Sequence, residues 1–166
     1  MKITGARITR DRIPLATPFV TALRRVDHAE FIVLELHTDR GLHALGSAPA
    51  TKAITGETLE SIECALRTKI VPALTGKPFE LDVLLNAVGA ALPGNSSAKA
   101  AADMALFTLA AQAASIPLYR FLGGQTAAPV NTAVTVSLDA PDEMARKAAE
   151  RYASGYDLLK IKVGGG

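Results

Sequence analysis

Two lysines set two residues apart offer the clearest chemistry in this sequence. Lys160 and Lys162 stand in the run Asp157-Leu158-Leu159-Lys160-Ile161-Lys162-Val163, closed by Gly164, Gly165 and Gly166. Four apolar positions, a β-branched pair and a glycine stop read as a short buried strand. Side chains alternate across a strand, so both ammonium groups lie on one face and Ile161 on the other. Neighbouring cations on an apolar strand repel each other and lose hydration, which favours a neutral amine on at least one. A lysine that is neutral near pH 7 is a general base. The same pattern also fits an edge strand whose lysines guard against aggregation. Taken alone, the strand leaves both readings open.

The chain has 166 residues, 49% hydrophobic and 20% charged, which suits one globular domain or one domain and part of another. Net charge is +2, tryptophan is absent and no basic stripe carries interleaved aromatics, so nucleic acid is not an expected partner. No apolar run approaches a membrane span and the N-terminus lacks a signal-peptide core, so no membrane contact and a cytoplasmic location are expected. The single Cys64 is expected as a small core residue in a reducing compartment. His28, His37 and His43 show no metal-ligand spacing, and His37 and His43 are expected to face each other, or solvent, across a hairpin.

The elements that must position the lysines follow in order. Residues 2–15 read as extended, with a possible bulge site at Gly5. Thr17 to Ala29 shows no period and reads as a loop of about a dozen residues, long enough to have a function. Phe19 and Arg24 on that loop could close over an anionic ligand, or pack locally and remain solvated. Glu30 to Thr38 alternates, with Ile32, Leu34 and Leu36 inward, and Leu42 to Ser47 returns as its hairpin partner. A second loop, residues 48–56, leads to a helix with Glu57 and Glu60 in its first turn, ended by Pro72 and Gly76. A shorter helix covers about 79–92. Asn95-Ser96-Ser97 caps a long helix to about Ser115, where nine of twenty positions are alanine and close packing is expected. Another helical turn, 117–122, ends at Gly123-Gly124. Beyond it, residues 129–136 form a β-rich run, Asp139 N-caps a helix to Ala153, and the lysine strand closes a β-α-β unit with parallel strands.

In this order the chain resembles the enolase superfamily, and within it the dipeptide epimerases of the alanyl-glutamate type. The resemblance rests on Thr17-Pro18-Phe19 to Arg24, on Gly41-Leu42-His43-Ala44-Leu45-Gly46-Ser47-Ala48-Pro49, and on Thr55-Gly56-Glu57-Thr58. It continues through Ala98 to Leu106, Pro117-Leu118-Tyr119, Leu122-Gly123-Gly124 and Lys160-Ile161-Lys162-Val163-Gly164. Ser47 stands where many members carry Glu, and Thr108 where Asp often follows, which weakens the subgroup more than the superfamily.

The resemblance implies an α+β cap domain, antiparallel sheet plus helices, over residues 1–124. Residues 125–166 would be the first β-α-β unit of a (β/α)7β barrel, with Lys162 at the C-terminal strand end where such barrels hold their sites. It implies Mg²⁺-dependent abstraction of the proton α to a carboxylate by lysine bases. Lys162 would be the base on one face of the carbon and Lys160 its electrostatic neighbour. Phe19, Thr21 and Arg24 from the first loop, Ala53 and Ile54 from the second, and Thr135 would contact the substrate, a dipeptide, with Arg24 suited to a side-chain carboxylate. The metal ligands and second base belong to later strands, so this chain is expected to contain no metal site and to be inactive alone. The full barrel would need on the order of 200 more residues. An N-acylamino-acid racemase or muconate-type cycloisomerase is the alternative within the superfamily, and a non-catalytic cap or binding module is the alternative outside it. A homo-oligomer is expected, or contacts made through apolar faces that a chain without its barrel leaves exposed at 130–136 and 158–163.

Overall fold

A computed structural model of the chain describes residues 1–126 and 129–164. Gly165 and Gly166 of the expected glycine stop lie outside the described residues. The chain divides into two compact units, one formed by Met1–Arg12 with Glu30–Gln125 and the other by Ile13–Ala29 with Thr126–Gly166. Both divisions in the N-terminal region fall within strands, β1 (Ile3–Val20) and β2 (Arg25–Thr38).

The first unit is built on a sheet of order β1-β2-β3, where β3 is His43–Pro49. β2 and β3 are antiparallel with Leu34 opposite Gly46 and His37 opposite His43, whose rings lie 6.2 Å apart. The short Thr21–Arg24 connection can join β1 and β2 only as a hairpin. Ile32, Leu34 and Leu36 are buried on the face predicted by their alternation. Helices cover that face. α1 (Lys52–Thr55) is a single turn, and α2 (Leu59–Ala65) runs through a π-helical turn at Leu66–Ile70 into α3 (Val71–Leu74). α4 (Leu81–Ala90), α5 (Ser96–Ala113) and α6 (Leu118–Phe121) follow.

The alanine-rich α5 lies on β3, as its small side chains require for close packing. A Cβ placed on Gly46 would come 1.8 Å from the Ala101 carbonyl oxygen, so the helix backbone occupies the space a side chain would need. Ala98, Ala101, Ala102, Ala105, Leu106 and Leu109 are all fully buried there. Asp103 avoids the core by facing solvent.

Several local expectations change. The helix ends at Leu74, not at Pro72. The preceding π-turn, in which Val71 N–H donates to Leu66 O, loosens the ladder where the proline has no N–H to contribute. Asn95 does not cap α5, because its backbone is left-handed (φ 55°, ψ 48°) and its amide donates to Pro93 O. The cap comes instead from Glu57, which stands before α2 and not in its first turn. The Glu57 carboxylate accepts from Ser97 N–H (3.0 Å), Ser97 Oγ (3.0 Å) and Ser96 Oγ (3.1 Å), across 40 positions of sequence. Burial pushes its proton affinity up, but the hydrogen bonds from Ser97 and Ser96 outweigh this and hold its pKa below the usual value of 4.5. Cys64 is exposed, on the side of α2 away from Ile62 and Ala65, and not in the core.

The second unit holds the rest of the hairpin, then β4 (Ala133–Val136), α7 (Pro141–Ala153) and β5 (Leu158–Ile161). β4 and β5 pair in parallel, as the β-α-β order predicts. The expected loop at 17–29 is instead the hairpin's distal part, closed by Thr21 N–H to Arg24 O at 2.9 Å. Residues 11–17 are exposed in succession, so no core imposes alternation on them, and the sequence there has no period. The N-cap of α7 is Ala140, one residue later than expected, while Asp139 accepts from Ala140 N–H and from Lys147. β5 is not buried. Leu158 is 55% and Ile161 46% exposed, because a two-stranded sheet with one helix has little to cover them. Among the described residues no helix is long and apolar enough to cross a membrane.

Gly46→Ala should lower stability by about 3 kcal/mol or more in urea unfolding, since overpacking against a backbone carbonyl cannot relax by side-chain rotation. Gly89→Ala in α4, with open space at its Cβ, should be neutral or stabilising.

Glu57→Ala should cost roughly 2–3 kcal/mol. The lowered pKa of Glu57 gives stability that is present above its unfolded value of 4.5 and lost as pH falls through the folded value. Glu57→Gln should therefore flatten the acid limb of the stability–pH curve, and an unchanged limb would remove Glu57 from this role.

Candidate active site

The parallel register sets Thr135 of β4 beside Lys160 of β5. Paired residues of neighbouring strands share a face, and alternation returns Lys162 to it. Lys162 stands one residue past β5 and stays in register, its N–H donating to Val136 O at 3.0 Å. Thr135, Lys160 and Lys162 thus meet at the C-terminal ends of two parallel strands. Lys160 is exposed and Lys162 half-buried. Among the described residues no carboxylate lies within ion-pairing distance of either amine.

The hairpin tip reaches the same strand ends. Leu138 N–H donates to Val20 O at 3.2 Å, just beyond β4. The Phe19 ring centroid lies 5.6 Å from Lys162 Nζ. A Cβ on Gly164 would stand 2.8 Å from the Ala22 Cβ, and Gly164 has φ 128°. Three successive regions of the tip therefore touch the end of β4, the end of β5 and the segment after it. The turn is held by Thr21, whose Oγ accepts from the N–H groups of Leu23 and Arg24 at 3.3 Å. This uses the Thr21 hydroxyl within the turn. Arg24 is half-buried, with no ion-pair partner among the described residues. Phe19, Thr21, Arg24, Thr135, Lys160 and Lys162 all belong to the second unit, whereas Ala53 and the exposed Ile54 lie on α1 of the first.

Sequence reasoning missed the tie between Val20 and Leu138 and the closeness of Ala22 to Gly164. No local signal marks either, since both join residues remote in sequence. It also missed a cavity of ≈ 370 Å³ bordered by the hairpin (Thr17, Arg25), the end of β4 (Thr135, Ser137) and α7 (Arg146, Arg151). Lys160 and Lys162 do not line it. Charges around it are mostly matched. The hydrogen bond from Lys147 and that from Ala140 N–H hold Asp139 below the usual carboxylate range, and the Arg146 guanidinium lowers Glu143 to about 2.

No group of three or more His, Cys, Asp or Glu able to hold a metal ion occurs among the described residues.

The chain is similar to known proteins over nearly its whole length. The N-terminal domain of mandelate racemase / muconate lactonizing enzyme matches residues 3–123. An L-Ala-D/L-Glu epimerase of Bacillus subtilis is 42% identical over 99% of this chain and 45% of its own length. Its substrate-liganded structure superposes with a TM-score of 0.93, covering 98% of this chain and 45% of that one, at 41% identity. A dipeptide epimerase of Cytophaga hutchinsonii, complexed with Mg and D-Ala-L-Val, gives 0.94 at 32% identity, over 100% of this chain and 45% of that chain. An N-succinyl Arg/Lys racemase of Bacillus cereus gives 0.94 at 30% identity with the same coverage. The chain thus spans about half the length of these relatives.

Gly164→Ala should free the hairpin tip, since the added methyl meets Ala22 and the left-handed backbone disfavours it. Hydrogen exchange at the Leu138 amide should accelerate. Adding Ala22→Gly should recover part of the protection, and a Leu138 amide unaffected by Gly164→Ala would refute the contact.

Proposed function

Because the chain belongs to the mandelate racemase / muconate lactonizing enzyme family, whose N-terminal domain it carries, we propose that it is the N-terminal part of a Mg²⁺-dependent dipeptide epimerase. The observation that carries the reading is the pair of amines at the end of β5, beside Thr135 and without carboxylate partners among the described residues. The likeness to dipeptide epimerases across nearly the whole chain supports it. In this division residues 1–124 are the cap and 125–166 begin the barrel.

Lys162, as the neutral amine, takes the proton from the carbon α to the substrate carboxylate. The C–H electron pair moves into the carboxylate and the amine becomes an ammonium. A second base on the opposite face, outside this chain, returns a proton and inverts the centre. An amine salt-bridged to a carboxylate would be held as ammonium and could not begin this cycle, so unpaired lysines are what the chemistry needs. Lys160 is the neighbour of Lys162 on the same face of the strand. Mg²⁺ would supply charge stabilisation at the carboxylate when bound, with ligands from outside the described residues. Thr135 would bond the dipeptide, and Arg24 would receive an acidic side chain. Phe19 and Thr21 would shape the specificity of the pocket. The enzyme would act in the cytoplasm as a homo-oligomer, with the apolar positions of β5 and its flanks (Leu158, Ile161, Val163) covered in the assembled protein. Racemisation of N-acylated amino acids is the second reading, favoured by the likeness to the N-succinyl Arg/Lys racemase.

The test begins with the coding DNA beyond the Gly166 codon, which should continue into strands ending in acidic residues and a further lysine. The full-length protein, given L-Ala-L-Glu and Mg²⁺ in D₂O, should place deuterium at the glutamate α-carbon. Lys162→Ala should reduce this by about 10²–10⁴-fold. Arg24→Ala should raise KM more for L-Ala-L-Glu than for a neutral dipeptide. Exchange confined to N-succinyl amino acids would establish the second reading, and exchange on neither class would end both.

A further inference from the structure

We propose that Phe19 is a positioning residue for Lys162: its ring holds the ammonium or amine end of the side chain in place without taking its proton. The proposal rests on the reading of Lys162 as the base. Lys162 Nζ lies 5.6 Å from the Phe19 ring centroid, within the range in which the face of an aromatic quadrupole attracts a cation. Both residues are half-buried, so the contact is partly shielded from water. It is also the contact recorded for this amine among the described residues, where no carboxylate reaches it.

The chemistry gives such a contact a purpose. A lysine stem has four rotatable bonds and much conformational freedom to lose when its end must sit at one point. A carboxylate partner would fix the end, but it would also stabilise the ammonium through a strong, charge-assisted hydrogen bond. A ring offers apolar surface to the stem and its face to the nitrogen, and it has no lone pair to accept the proton. It can thus hold the ammonium through its quadrupole and the stem of the neutral amine through apolar contact, without competing for the proton.

The backbone around the pair is fixed independently of the ring. Phe19 precedes Val20, whose carbonyl accepts from Leu138 N–H, while Lys162 is anchored by its own N–H to Val136 O. β4 and the segment following it therefore hold both partners, and the turn closed by Thr21 keeps the tip in one conformation. The ring and the amine come from opposite ends of the chain, yet each backbone is hydrogen-bonded to the region of Val136 to Leu138.

Phe19→Leu keeps most of the apolar volume and removes the quadrupole, whereas Phe19→Tyr keeps the ring. In the full-length protein Phe19→Leu should lower kcat for α-proton exchange on the order of tenfold, beyond any change in KM that its place in the pocket brings. Phe19→Tyr should restore kcat to near the original value. A ring acting only as substrate-pocket wall would move KM, and a ring acting only in folding would lower both variants' stability and yield. A nuclear Overhauser contact between the Phe19 ring protons and the Lys162 ε-methylene, with an upfield ring-current shift of that methylene, should be present in the unmodified protein, so the geometry is tested even if a variant does not fold. Its absence would overturn the proposal. So would Phe19→Leu with unchanged kcat in a protein that Lys162→Ala inactivates. If Lys162→Ala left exchange intact, the base assignment itself would fall and the proposal with it, whatever the Phe19 variants did.

Discussion

The backbone of α5 runs against Gly46 with no space between for even one methyl group, and the first unit depends on that approach. It explains why the helix is rich in alanine along its buried side, since larger residues there would push it off β3. It also explains why the helix start is capped from a distance. A helix brought this close to a sheet has its first N–H groups, such as that of Ser97, shielded from water, and they need an acceptor that arrives with the fold. Glu57 provides it, with a negative charge at the positive end of the helix dipole and its own burial offset by the bonds it accepts.

The second unit is organised differently. Among its described apolar residues only Val136 is nearly inaccessible, at 2% exposure. Its order comes mainly from backbone hydrogen bonds and ion pairs: the parallel ladder of β4 and β5, the Val20–Leu138 bond, and the charges along α7, where Arg146 meets Glu143 and Glu150 while Lys147 meets Asp139. Exposed pairs of this kind contribute little stability individually. What they do achieve is a sorting of charge. Arg146 and Lys147 of α7 have carboxylate partners, while among the described residues Lys160 and Lys162 have none, so the two amines on the strand ends keep the unpaired state that the proposed proton transfer needs.

The hairpin shows how one element can serve two tasks. Its base, strands β1 and β2, helps form the sheet of the first unit. Its tip belongs to the second, where it supplies Phe19 beside the strand ends. Family likeness over residues 3–123 takes in the sheet, the helices and the hairpin tip, while the other residues nearest to the proposed chemistry come from the β-α-β unit that follows.

Much of this was legible in the sequence wherever neighbours within a few residues decide the outcome. The alternation of Ile32, Leu34 and Leu36 identified the buried face, the β-α-β order determined the parallel pairing, and the spacing of Lys160 and Lys162 put both amines on one face, because a strand's period is two whatever surrounds it. The middle of β1 was not legible, since residues 11–17 are exposed in succession and no buried face imposes an alternation to read. Nor was the capping of α5, for Asn95 has the right chemistry in the right place but the wrong backbone conformation, and Glu57 reaches the helix only after chain folding. Cys64, expected inside, lies outside because helix phase relative to the sheet is set by packing and not by residue type. Only the tertiary structure decided that Phe19 would stand over Lys162: the two are joined by no local pattern, and their meeting depends on loop closures that no stretch of sequence encodes by itself.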